Sequence, residues 1–265
     1  MPELPDLEIF KTNAFNRLSS KRLIGIEVFN LKKVITPKQT LIDQLVNRDL
    51  LSINRIGKEL IFDFGDQRVI AAHFMLNGKM SIVKEIETSE KEIAAIKFKI
   101  FAMRFEQESI VFSDRDYLCN IKYMPPRAKT PDAFDDAFTW EYFLRIAKRK
   151  PMMNVKAFLI DQKIVKGIGN AYADEILWDA RISPRSMIGK IPEENLKALY
   201  HSIHSVLTDA IDKIKLISPD IISGEERSFL RVHNKALEET ETGYPIIIEK
   251  IASKTTYYTK EQIFY

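Results

Sequence analysis

Residues 161–177 read DQKIVKGIGNAYADEIL, and the reading of this run decides the fold of the second half of the chain. Gly167 and Gly169 let the backbone turn tightly, and Asn170 can cap the helical pattern that comes next. Two readings stand. One is an ordinary turn joining two helices, a common connection. The other is a seat for phosphate, built from free N–H groups at a helix start, an amide side chain, and Lys163 and Lys166 just upstream.

Working outward, the flanking sequence keeps a helical period. TWEYFLRIAKRK (139–150) and MMNVKAFLID (152–161) precede the run, and PEENLKALYHSIHSVLTDAIDKIK (192–215) continues it as a long amphipathic helix. The first half has a different texture. After an amphipathic helix over about residues 5–19 come LIGIEVFN, LLSINRI, KELIFDF, RVIAAHFML, GKMSIVKE, IAAIKFKIFAMRF and SIVFSDRDYLCNIKYM, which read as strands. The pairs GD (65–66) and NG (77–78) read as hairpin turns, and TLIDQLVNRD as a short helix capped by Thr40. Many short strands with tight turns argue an antiparallel sandwich or barrel. PPRAKTPDAFDDAF breaks the pattern, and the last 30 or so residues return to strands, a hairpin with its tip near ASK (252–254). The expected fold is therefore α+β: an N-terminal antiparallel β-sandwich domain over 1–125, a linker over 126–138, a helical domain over 139–232 and a terminal hairpin over 233–265.

The chain has 265 residues, 45% hydrophobic and 29% charged, which suits one large or two medium globular domains. Forty bases against 37 acids give a net charge of +3, which permits a polyanion partner without demanding one. A single cysteine excludes internal disulfides and multi-cysteine metal sites, and Cys119 reads as a small strand hydrophobe. No apolar run approaches a membrane span and no signal peptide precedes the acidic N-terminus, so the expectation is a cytoplasmic protein, nucleoid-associated if bacterial.

Three shorter stretches remain. MPELPDLEIF opens the chain; Pro5 and Asp6 suit a first helical turn, but Pro2 and Glu3 are left without a reason. RIGKELIF (55–62) sets Lys58 after a glycine turn, either a solvated rim charge or a ligand-binding one. HFMLNGKM (73–80) places His73, Met75 and Leu76 before NG, either core packing or an apolar wedge that enters a base stack.

Together and in order, MPELPD, RIGKELIF, HFMLNG, DQKIVKGIGNAYADEIL and FLRVHNK (229–235) resemble the successive signatures of the formamidopyrimidine-DNA glycosylase/endonuclease VIII family. The resemblance spans essentially the whole chain, with PELP and GIGNAYADE its most specific pieces. It implies a β-sandwich domain and a helix–two-turn–helix module with a DNA cleft, double-stranded DNA carrying damaged bases or abasic sites as partner, no cofactor and a monomer. It further implies that Pro2, once N-terminal, is the nucleophile, Glu3 the general acid and Asp6 a further catalytic carboxylate. Lys58 joins the catalytic set as a phosphate-binding lysine, and Asn170, which would hold backbone phosphate, is expected to bind DNA together with Gly169 and His73. The reaction implied is base excision followed by β/δ-elimination through a Schiff base on Pro2.

The chain departs from the family pattern in several places. Most relatives carry a four-cysteine zinc hairpin, whereas the matching positions here are Glu239, Thr242, Thr259 and Gln262, not a set zinc prefers. A zincless finger is therefore expected, with no bound metal and with Ile246, Ile248 and Tyr257 packing in its place. Lys254 stands where relatives keep a phosphate-gripping arginine and lacks the bidentate fork. Asp6 replaces the usual glutamate, shortening a carboxylate where 1 Å can cost about 100-fold. Leu76 replaces the void-filling methionine, and in SDRDYLCN (113–120) Arg115 and Tyr117 are the candidates for the residues that fill the opposite-strand gap. IKLISPDIISGEERSF (214–229) is shorter than the loop of the 8-oxoguanine-specific branch, which leans towards other oxidised bases. These departures keep a second reading open, a paralogue that binds damaged or abasic DNA without efficient turnover.

Overall fold

The computed structural model describes residues 1–84, 89–126 and 129–265. It resolves into two compact units: Met1–Pro2, Asp6–Arg127 and Ser218–Glu225 form one, and Glu3–Pro5, Ala128–Ile217 and Glu226–Tyr265 the other. The contiguous partition read from the sequence differs in three places. Glu3–Pro5 count with the helical unit, Ser218–Glu225 with the β-rich one, and part of the expected linker is core, since Ala133 and Phe138 are buried. Residues 127 and 128 of that linker, and Glu85 at the end of GKMSIVKE, lie outside the described residues.

Helix α1 (Leu4–Leu18) belongs to the first unit from Asp6 onward, and its Leu7, Phe10, Ala14 and Leu18 share one buried face. After it come β1 (Leu23–Val28), α2 (Lys38–Leu45), β2 (Ser52–Ile56), β3 (Glu59–Asp63), β4 (Val69–His73), β5 (Lys79–Lys84), α3 (Ser89–Ala95), β6 (Lys99–Phe105), β7 (Glu108–Ser113) and β8 (Asn120–Tyr123). They make two antiparallel four-stranded sheets, β1-β6-β7-β5 and β2-β3-β4-β8. The inward residues of both sheets share one core, where Phe62 of β3 meets Phe112 of β7 edge to face at 5.9 Å. This is the sandwich the alternation implied.

Three local expectations fail. Thr40 does not cap α2; the helix starts from Pro37, whose carbonyl accepts Leu41 N–H at 3.2 Å, so Thr40 sits inside the first turn. IAAIKFKIFAMRF is not all strand, because its start completes α3, which lays Ile93 on Val83, Ala102 and Val111. Asn77-Gly78 is no hairpin turn: β4 and β5 belong to different sheets. Gly78 instead folds back so that its N–H meets Phe74 O at 2.9 Å, and a Cβ there would lie 2.2 Å from that oxygen.

The second unit comprises α4 (Trp140–Arg149), α5 (Val155–Ile160), α6 (Asn170–Asp179), α7 (Glu193–Ile217) and a hairpin of β9 (Ile247–Ile251) and β10 (Lys254–Tyr258). Thr139 and Asn154 cap α4 and α5 through side-chain oxygens. The hairpin turns on Ala252-Ser253, both at positive φ as a two-residue turn requires.

Two consecutive acids of α6 hold the hairpin and the backbone that leads to it. Asp174, fully buried, pairs with the buried Lys156 ammonium at 2.7 Å and accepts Tyr257 N–H at 3.0 Å and a bond shared with His233 Nδ1 at 2.7 Å. Lys156 also donates to Thr256 Oγ1 at 2.7 Å. Burial pushes the Lys156 pKa down, against the pull of Asp174. Glu175 accepts the backbone N–H groups of Arg231, Val232 and His233 at 3.0, 2.8 and 2.7 Å, and burial raises its pKa despite those bonds. Lys156→Met leaves the Asp174 carboxylate buried without its cation; stability measured by denaturant midpoint is expected to fall by about 3–5 kcal/mol.

Candidate active site

Pro2 is buried and lines a cavity of about 690 Å³ in the first unit. Leu76 and Arg115 line the same cavity, with Lys79 and Lys97. The Arg115 loop is folded on one carboxylate: Asp114 Oδ1 accepts Asp116 N–H at 2.9 Å, and Oδ2 accepts Leu118 and Cys119 N–H at 2.8 and 2.7 Å. Asn77 donates to Asp116, which ties the Leu76 turn to that loop. Tyr117 meets Phe98, another lining residue, edge to face at 6.0 Å, and both exposed rings are carried on left-handed backbone. Sequence patterning offered no signal for Phe98, which looks like any apolar residue of a strand.

Lys58 occupies the two-residue turn between β2 and β3, where Gly57 supplies a φ of +60°, and it is largely buried. His73 lies at the end of β4, in register with Glu59. Its Nδ1 accepts Met75 N–H at 3.0 Å, which leaves the proton of the neutral ring on Nε2. Burial lowers its pKa, Glu59 opposing and Lys58 and Lys122 assisting. Asp6 is fully buried in the first turn of α1.

In the second unit Glu3 accepts the N–H of Gly169 (2.8 Å), Ala171 (3.0 Å) and Tyr172 (3.3 Å), a carboxylate seated on the N-terminus of α6. The approach is tight. Leu4 N–H bonds to Gly167 O at 3.1 Å, and Gly167 has a φ of +100° with space for no Cβ, which would lie 2.7 Å from Leu4 Cδ1. Gln162 shapes the preceding loop, accepting Gly167 N–H and donating to Ile160 O and Ile168 O. Asn170 Nδ2 donates to Thr255 O at 2.8 Å, one residue after the exposed Lys254 at the hairpin tip.

The structure thus groups Pro2, Leu76 and Arg115 around one cavity, Lys58 with His73 beside it, and Glu3, Gly169, Asn170 and Lys254 around the start of α6.

Two family models match this chain: the formamidopyrimidine-DNA glycosylase N-terminal domain over residues 1–117 and the formamidopyrimidine-DNA glycosylase H2TH domain over residues 130–219. The chain belongs to the formamidopyrimidine-DNA glycosylase family. Relatives of that name include those of Lactococcus lactis subsp. lactis, 26% identical over 97% of both chains, and Desulforamulus reducens, 29% identical over 97% of both. The solved structure of LlFpg in a complex with a THF-DNA and an inhibitor is 25% identical and superposes over 98% of both chains with a TM-score of 0.84.

The zinc hairpin of the family does not fit these residues. Thr242 and Thr259 donate through Oγ1 to Glu261 at 2.8 and 3.0 Å, and Gln262 spends its amide on Thr259 N–H and Ile182 O. Trp178 Nε1 and Arg181 reach the same Glu261 carboxylate at 3.2 and 2.8 Å. A carboxylate with four donors therefore stands among the positions where the resemblance would put zinc ligands, and no cluster of three or more metal-ligating acids, histidines or cysteines exists among the described residues. The expected apolar substitute is partly realised: Tyr257 and Ile246 pack on Trp178 and Val232, but Ile248 is 55% exposed. The pleat of β9 turns 247, 249 and 251 towards the protein, which sends 248 outward.

Burial works against charge on Glu261, but the hydroxyl bonds and Arg181 outweigh it and hold its pKa below the usual carboxylate value. Its contribution is thus complete above that usual value and is lost as pH falls through the lowered one. Glu261→Ala strands the donors and is expected to cost about 1–3 kcal/mol in thermal or denaturant unfolding. A strong chelator is expected to leave the unfolding midpoint of the unsubstituted protein where it was.

Proposed function

We propose that this chain is a base-excision-repair DNA glycosylase with AP-lyase activity on oxidatively damaged bases, acting through a Schiff base on Pro2. The observation that carries the reading is the buried Pro2 on a cavity it shares with an apolar wedge, Leu76, and the cations Arg115, Lys79 and Lys97. Its partner is double-stranded DNA with damaged bases or abasic sites, the chemistry for which family membership and a DNA-bound relative speak.

Removal of Met1 frees a secondary amine at Pro2. An α-amino group titrates at roughly 7.7–8.0, so a useful share is neutral near pH 7. The amine attacks C1′ of an extruded nucleotide, the base leaves, and a covalent iminium forms that favours strand cleavage by elimination. Extrusion costs a few kcal/mol, least where the base is damaged or mispaired. Glu3 is the proposed acid for the sugar ring oxygen, and the α6 N–H groups fix its position. Asp6 is the second catalytic carboxylate. Lys58, His73 through Nε2–H, Asn170 through its second amide hydrogen and Lys254 hold phosphates, while Leu76 and Arg115 fill the vacated stack.

The alternative, a binder of damaged or abasic DNA without efficient turnover, holds if Met1 is retained, because the Pro2 nitrogen is then an amide and the amine that pairs with Glu225 is that of Met1. Mass spectrometry of the N-terminus and borohydride trapping on abasic DNA decide. Chain beginning at Pro2 should give a trapped covalent complex, and Pro2→Gly should lose most of it. If Pro2-initiated protein yields no complex, the enzyme reading fails. In binding assays at low salt, Lys58→Ala and Lys254→Ala should each weaken affinity whatever the sequence and reduce the salt slope by about one.

A further inference from the structure

The segment 218–225, which in sequence resembles only a shortened lesion loop, is pinned to the β-rich unit. Asn13 of α1 donates to Pro219 O at 2.7 Å and Ile221 O at 2.9 Å, and Met80 N–H of β5 donates to Ser223 Oγ at 3.2 Å. Ile221 and Ile222 pack on the sandwich core. These anchors deliver Glu225 to the cavity that Pro2 lines, and there its carboxylate binds the chain's amino group, at present that of Met1.

Removing Met1 moves the free amino nitrogen by one residue, at most ~3.6 Å along the chain. The carboxylate that holds the first amine therefore stands beside the second. Among the described residues, the other charged groups facing the cavity are Lys79 from β5, Lys97 ahead of β6, and Asp114 and Arg115 after β7. The three cations repel an ammonium, and both Asp114 oxygens already accept backbone N–H groups. Glu225 is the acid placed to counter them.

We propose that Glu225 is a positioning residue for the nucleophile: in the mature chain its carboxylate pairs with the Pro2 ammonium, orients it in the cavity and takes its proton before attack. In that step an N–H bond breaks with its electron pair left on nitrogen, and an O–H bond forms on Glu225; no other reactant is needed. The freed pair attacks C1′. This rests on the proposed Schiff-base function.

A carboxylate beside an ammonium favours the protonated form and raises its pKa. The pH profile of borohydride trapping on abasic DNA reads this directly, using full-length protein verified to start at Pro2. Unsubstituted protein should show its midpoint about one unit above that of Glu225→Gln, with Glu225→Asp restoring most of the difference. Coincident midpoints in all three, with unfolding temperatures unchanged, would overturn the proposal. Absence of trapping by the unsubstituted protein would instead defeat the function on which it rests. Should Glu225→Gln not fold, the comparison of Glu225→Asp with a Pro2-initiated Glu225→Ser protein decides: a higher midpoint for Glu225→Asp supports the assignment, and equality removes it.

Discussion

The carboxylate of Glu3 accepts three N–H groups at the start of α6, and the rest of the helical unit is arranged from that helix. Four N–H groups at a helix start have no partner of their own, and here a residue from the far end of the chain supplies one. From the same ten-residue helix Asn170 reaches Thr255, Asp174 reaches Lys156 and Tyr257, Glu175 reaches the 231–233 backbone, and Trp178 reaches Glu261. Successive residues of GIGNAYADEILW thus carry separate tethers to the hairpin and its approach. That is why a run with a weak amphipathic pattern is buried over almost all its length.

Much of this architecture was legible in the chain. Period-two alternation located the strands because inward residues such as Phe62, Phe101 and Phe112 must meet across two sheets. The tight turn at Gly167 was readable because its positive φ is a local requirement, whereas the close approach of Leu4 that also demands a glycine there was not. Sheet membership was not. Asn-Gly between two apolar runs looks like a hairpin whether the runs pair with each other or with β8 and β7, and only the long-range ladder distinguishes them. The start of α3 escaped because SEKEIAA is too short for a period to declare itself.

Within the candidate site, the resemblance named Pro2, Glu3, Lys58 and Asn170, while the groups that organise them stayed hidden. Asp114, Gln162, Lys156 and Glu225 act through partners that are backbone atoms or that lie dozens of residues away, as Lys156 does with Thr256 and Glu225 with Met1. No spacing rule marks such residues. Ile248 illustrates a limit of another kind: in a strand, a slip of one position exchanges inside for outside, and three consecutive isoleucines give no hint of the phase.

The hub at Glu261 has a chemical corollary. Thiolates that grip zinc are also the groups that peroxide attacks first, stepwise to sulfenic and sulfinic acids. This hairpin is closed by hydroxyls, an indole, a guanidinium and a carboxylate, none of which sits on that ladder. The lone thiol, Cys119, is buried and its pKa is pushed up to about 12 by burial with help from Asp114, so it stays protonated and unreactive. The hairpin can keep its shape under the same oxidising chemistry that damages bases.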